Sequence, residues 1–135
     1  MLKIFLSSHG HFASGIASSV KILTGSSDRF TIFDAFVDET TVQEHLDAFY
    51  ETVTEDDQVL LLSDLYGGSV NQVMFTYLTK PNTMLVAGVN LALVLELALR
   101  DEITEEELED LVEQSRQMMT HVKLDSVSDE QEDFF

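Results

Sequence analysis

A single histidine, His9, stands between Ser8 and Gly10 at the end of the apolar run Leu2–Ser7. A histidine placed at a strand end, followed by glycine and a helix start, is an accessible nucleophile. Free imidazoles titrate near pH ~6.5, so close to neutrality a ring nitrogen with an open lone pair can attack phosphorus. Such a ring needs an orienting partner, and Asp64, at the end of another apolar run, is suited to accept the second ring N–H and fix the tautomer. Glycine-rich turns at Gly10 and at Gly67-Gly68, with the helix start at Ser69, supply N–H donors for phosphate oxygens. Phosphoryl transfer asks mainly for positioning and charge stabilisation, so this sparse set suffices without a metal or cofactor. A third loop, Gly88-Val89-Asn90, ends a further apolar run and places Asn90 as a supporting residue.

Each residue also has a plain structural role. Asp64 can hold a turn, Gly67 and Gly68 can permit one, and Asn90 can cap a helix. Ser69 with Gln72 has the spacing of a capping box, which would occupy its hydroxyl. Only the convergence of three loops favours chemistry. Other site types fit less well. Gly10 and Gly15 have the glycine spacing of a phosphate-binding P-loop, but Ile16-Ala17 stands where Lys-Ser/Thr is required. Gly67-Gly68-Ser69-Val70-Asn71 lacks the last glycine of a nucleophile elbow. His9, His11 and Asp64 offer three ligands to a metal but no convincing fourth. His45 falls on the polar side of its helix and His121 borders a short C-terminal segment, so both read as incidental.

These loops need a frame. Leu2–Ser7, Phe30–Val37, Gln58–Ser63 and Thr83–Ala87 read as strands, and Val59-Leu60-Leu61-Leu62 has the character of a strand buried on both faces. Between them Phe12, Ile16, Val20 and Leu23, closed by Gly25, recur at helical spacing, as do Val42, Leu46, Phe49 and Val53 behind the Thr41/Glu44 capping pair. A helix from Ser69 to about Leu78 follows. A helix after Asn90, apolar nearly all round, is expected to be deeply buried. The last, capped by Thr104 and Glu107, carries the stripe Leu108, Leu111, Val112, Ser115 and Met119. Val122 and Leu124 hint at a short final strand. The expected fold is α/β: an open, mainly parallel, doubly wound sheet of about four parallel strands plus a C-terminal antiparallel edge strand, with helices on both faces. In such sheets sites form beyond the carboxyl ends of the strands, where the three loops would meet. One domain spans 1–125, and 126–135 is an acidic tail, expected to be mobile, that closes on Phe134-Phe135.

Composition narrows the partners. The 135 residues include 25 acidic and 7 basic ones, a formal net charge of −18, and no cysteine. The missing cysteines exclude a disulfide scaffold and a thiol nucleophile. The charge disfavours nucleic acid and anionic membranes and would steer in a basic protein partner. No apolar stretch is long enough for a signal segment or membrane span, so a cytoplasmic protein is expected.

Taken in order, Ser8-His9-Gly10, Asp64-Leu65-Tyr66-Gly67-Gly68-Ser69 and Ala87-Gly88-Val89-Asn90-Leu91 resemble the IIA domain of the mannose/fructose/sorbose family of the bacterial sugar phosphotransferase system. The likeness extends from Met1 to about Leu124. It implies that His9 accepts a phosphoryl group from the phosphocarrier HPr and passes it to a IIB component, which works with the membrane components IIC and IID. It also implies that Asp64 hydrogen-bonds the imidazole and Ser69 helps hold the phosphate. A homodimer with an exchanged C-terminal strand, here His121–Asp125, is implied as well. Val70 and Ala92 replace prolines common in the family, a change of loop stiffness only. The chain ends before the Ala/Pro-rich linker to a fused IIB domain, which implies a free-standing IIA protein. The phosphoryl donor subunit of phosphoenolpyruvate-dependent dihydroxyacetone kinases is the nearest alternative, although its second turn resembles Asp-Leu-Gly-Ser. A non-catalytic regulatory module is the alternative from another class.

Overall fold

Four parallel strands, β1 (Leu2–His9), β2 (Phe30–Ala35), β3 (Gln58–Ser63) and β4 (Thr83–Ala87), form an open sheet in the order β2-β1-β3-β4. The computed structural model describes residues 1–124. Within them the helices are α1 (Phe12–Thr24), α2 (Val42–Tyr50), α3 (Ser69–Phe75), α4 (Leu91–Leu97) and α5 (Glu105–Arg116), with a 3₁₀ turn at Thr76–Thr79.

The period of two along a strand divides the core between the sheet's faces. Leu2, Ile4 and Leu6 of β1 and Leu60 and Leu62 of β3 pack with α1, α4 and α5. Phe5, Val59 and Leu61 point the other way, toward Val42, Leu46 and Phe49 of α2 and Val70 and Met74 of α3. Leu60, Leu61 and Leu62 are wholly buried, and each such side chain contributes about 1.5–3 kcal/mol relative to exposure. The chain leaves β1 toward β2 on one side and later reaches β3 on the other. The connections that leave the carboxyl ends of the paired strands β1 and β3 therefore run to opposite sides, leaving the crevice at which such sheets bind ligands.

Several boundaries differ from the sequence expectation for identifiable reasons. Strand β2 stops at Ala35 because Phe36 takes a left-handed backbone (φ 65°) that ends extended pairing. The buried stripe of α1 is Ala13, Ile16 and Val20, while Phe12 and Leu23 are exposed. Met119 lies beyond α5 and is exposed. Helix α3 tightens into the 3₁₀ turn before Leu78.

The larger corrections concern the C-terminal third. Helix α4 is not deeply buried all round: Leu91, Ala92 and Leu95 are half-buried beside a groove of about 1000 Å³ that runs along Val86–Asn90 to Met118 and Met119. The antiparallel edge strand expected at His121–Asp125 is not formed among the described residues, where β4 pairs only with β3. A strand exists only through a ladder with a neighbour, and the sheet among the described residues has no strand beyond β4. Asp125 and the tail 126–135 lie outside the described residues.

Candidate functional site

His9 is the last residue of β1, and its imidazole is held at both nitrogens. Nδ1 lies 3.0 Å from Asp64 Oδ2, and Nε2 lies 3.0 Å from Ser69 Oγ. The same Asp64 oxygen accepts the His9 backbone N–H at 3.0 Å, so one carboxylate anchors both the main chain and the ring. Asp64 is acceptor-only when ionised, which places the proton of a neutral His9 on Nδ1. Nε2 then carries the lone pair, accepts the Ser69 hydroxyl and is the ring nitrogen chemically able to attack an electrophile. The other Asp64 oxygen, Oδ1, is buried with no hydrogen-bond partner among the described residues. His9 is therefore the carboxylate's main compensation, and positive charge developing on the ring is favoured.

The βα turn after β3 is shaped to this ring. Ser69 does not cap α3, contrary to the capping-box expectation. Gly68 is the N-cap residue, Ser69 is the first helical residue, and its hydroxyl is left to reach His9. Gln72, the expected second half of that box, donates to the Gly67 carbonyl instead. A side chain at Gly68 would bring Cβ within 3.2 Å of His9 Cε1 and 3.3 Å of the Leu65 carbonyl oxygen, so any larger residue would force the ring or the turn to give by a few tenths of an ångström. Gly10 (φ 60°) turns the chain out of β1 while its N–H donates to the Ala35 carbonyl at 2.8 Å, tying the His9 loop to the end of β2.

Asn90 sits apart from the ring's contacts. Its side chain caps α4 by accepting from Leu93 N at 3.0 Å and donates to the Ser115 carbonyl at 2.7 Å. Its support is indirect, fastening α4 to α5 beside the third loop. His11 and His9 are turned to separate carboxylates, since His11 Nδ1 lies 2.9 Å from Asp34 Oδ2. Among the described residues no three metal-ligating side chains come together. His45 stacks on Phe33 at 3.8 Å and pairs with Thr40, a structural role.

Two residues escaped the sequence reading. Asp34 was signalled only by a charge inside the apolar strand Phe30–Ala35. It caps α1 from the neighbouring strand: Ser14 N donates to Asp34 Oδ1 at 3.0 Å, while Ser8 Oγ takes the Ala13 N–H at 2.7 Å. Burial pushes the Asp34 carboxyl up, but hydrogen bonds from Ser14 and His11 outweigh it and hold its pKa below the ordinary 3.8. Such a carboxylate stabilises the fold above its unfolded-state pKa and loses that contribution as pH falls through the lowered value. Asp34→Ala should therefore cost about 0.5–2 kcal/mol near neutrality. In urea denaturation the gap to wild type should close below about pH 4; a gap unchanged down to pH 3 would contradict this capping role. The second residue, Phe36, carried no sequence signal, because a left-handed backbone at phenylalanine cannot be read from its type. Its ring stacks on His9, with centroids 5.3 Å apart and planes inclined by 25°. A bulky residue in this conformation costs on the order of 1–3 kcal/mol.

Known proteins resemble this chain along most of its length. Residues 3–116 match the family model described as PTS system fructose IIA component. The PTS system fructose-specific EIIA component of Bacillus subtilis (strain 168) is 28% identical over 112 residues, 80% of this chain and 77% of that protein. Among solved structures, the mannose/sorbose specific IIA subunit of the phosphotransferase system from Enterococcus faecalis superposes with a TM-score of 0.74 at 27% identity, covering 90% of this chain and 95% of the other. The PTS IIA protein associated with the fucose utilization operon from Streptococcus pneumoniae gives 0.72 at 25% identity, covering 89% and 92%.

Proposed function

This chain belongs to the mannose/fructose/sorbose family of phosphotransferase-system IIA components, phosphocarriers of sugar uptake, and from that premise we propose that His9 Nε2 is the atom that carries the phosphoryl group. The observation that supports this most is the hold on the ring: Asp64 on Nδ1 and Ser69 on Nε2, each at 3.0 Å. In the forward step the Nε2 lone pair attacks the phosphorus of phosphohistidine on HPr. The donor P–N bond breaks and its electron pair returns to the donor imidazole. The Nδ1 proton stays in place, so phospho-His9 has a cationic ring facing the Asp64 carboxylate. Reversal toward a histidine of a IIB component uses the same contacts. Gly10, Gly67, Gly68 and Ser69 border the space the phosphate oxygens would occupy, with the Ser69 hydroxyl free to turn its proton to one of them once Nε2 is bonded to phosphorus.

The decisive experiment is incubation with phosphoenolpyruvate, enzyme I and HPr. Acid-labile, alkali-stable phosphate should appear on His9 and then chase onto a IIB component; failure of the wild-type chain to accept label would refute the assignment. The sugars in the relatives' names differ, as suits a chain that handles only the phosphoryl group. Among the described residues no helix is long and apolar enough to cross a membrane.

Among the described residues β4 pairs only with β3, and this edge with the groove beside half-buried α4 suits a homodimer in which the segment His121–Asp125 pairs with the partner's β4, covering both. Sedimentation at micromolar concentration should give a dimer, and truncation after Thr120 a monomer. A truncated chain that still sediments as a dimer would exclude the exchange.

A further inference from the structure

Phe36 is held in a conformation that its own burial does not explain. Its backbone is left-handed (φ 65°), yet its side chain is 68% exposed, so core packing is not what the conformation obtains. What the left-handed step does achieve is to turn the chain out of β2 directly after Ala35, whose carbonyl is tied to Gly10 N. That turn lays the phenyl ring over the imidazole of His9. The two hydrogen bonds on His9 lie at the ring's edge. Histidine χ2 occupies a broad well and hydrogen bonds tolerate tens of degrees of misalignment, so edge contacts alone leave the ring free to rock out of plane. A neighbour on the face stops that motion. It also suits a cationic phospho-imidazole, because the aromatic face is negative.

We infer that Phe36 is a positioning residue for phosphoryl transfer: it sets the plane of the His9 imidazole and shields one face of the phosphorylated ring from water. This rests on the reading of His9 as the phosphoryl acceptor. Spontaneous loss from phospho-His9 proceeds by attack of water on phosphorus. The P–N bond breaks, its electron pair returns to Nε2, and inorganic phosphate leaves. A ring that rocks, open on both faces, should lose its phosphate sooner.

The test compares Phe36→Gly, Phe36→Leu and Phe36→Tyr with wild type. Glycine tolerates the left-handed backbone and deletes the ring, leucine keeps apolar bulk without a flat face, and tyrosine keeps the stack. After phosphorylation and removal of the donor proteins, the Gly and Leu variants should lose phosphate about two- to tenfold faster. Their kcat for phosphate acceptance should fall by a similar factor, with tyrosine close to wild type. In the unphosphorylated protein, ¹⁵N chemical shifts of His9 should report Nδ1–H in wild type and Phe36→Tyr but a mixture of tautomers in Phe36→Gly. The thermal midpoint of Phe36→Gly should not drop, which separates these effects from unfolding. Unchanged hydrolysis and tautomer ratio in Phe36→Gly would overturn the inference, as would a change confined to KM for phospho-HPr, which would mark Phe36 as a docking residue. Should wild type itself take no label, the phosphocarrier reading fails, while the tautomer measurement still decides whether Phe36 holds the ring.

Discussion

His9→Ala should abolish phosphorylation by phosphoenolpyruvate, enzyme I and HPr, a loss of at least about 10⁴-fold, because it removes the proposed nucleophile. The fold should survive. The His9 side chain is about two-fifths exposed, and substitutions at such positions usually stay within about 0.5 kcal/mol. Removing the ring leaves Asp64 Oδ2 with the backbone N–H of residue 9 as a remaining partner, which limits the cost at the carboxylate. Autoradiography of the purified variant after a long incubation checks the first statement and thermal unfolding the second. Label at the wild-type level would move the acceptor elsewhere in the chain, His11 being the next imidazole to examine.

Asp64→Asn should slow transfer by about 10²-fold or more with little change in stability. The amide is nearly isosteric but brings no charge to balance the imidazolium. If its NH₂ group faces the ring, it donates to Nδ1 and drives the proton to Nε2, which removes the nucleophilic lone pair. Asp64→Ala should be slower than wild type too, and its His9 should wander between tautomers. Stability should be nearly preserved, since a carboxylate with one buried, unpartnered oxygen contributes little net stability. Rapid-quench rates with phospho-HPr give the comparison; a wild-type rate for the asparagine variant would show that Asp64 does not orient the ring. The two substitutions differ in kind, because His9→Ala removes the acceptor whereas Asp64→Asn leaves one that is badly presented.

Much of this was readable in the chain because it depends on local pattern. Hydrophobic runs such as Val59-Leu60-Leu61-Leu62 need burial on both faces, which demands a covered parallel strand wherever it lies in the sheet. Alternation of such runs with helical stripes gave four parallel strands with helices on both faces. His9 and Asp64 were legible for a related reason: each polar residue follows directly on an apolar strand, and strand ends of such sheets meet at one edge. Less legible were Phe12, Leu23 and Met119, apolar residues at helical spacing whose exposure is decided by where each helix ends and what lies opposite. The C-terminal strand is not formed among the described residues: Val122 and Leu124 alternate correctly, yet pairing requires a neighbour that pattern alone does not supply.

The amino-acid sequence by itself determined the layers and placed His9 and Asp64 at strand ends, since these follow from residue type and period. Only the tertiary structure decided how the His9 ring is held. It set Nδ1 against Asp64 and Nε2 against Ser69, released Ser69 from capping by giving that position to Gly68, and set Asp34 to cap a helix twenty residues earlier in the chain. It also placed Phe36 on the imidazole face through a backbone turn that its residue type disfavours. The reason is common to all four. Hydrogen-bond direction and ring stacking depend on angles between elements distant in sequence, and those angles exist only once both faces of the sheet are packed.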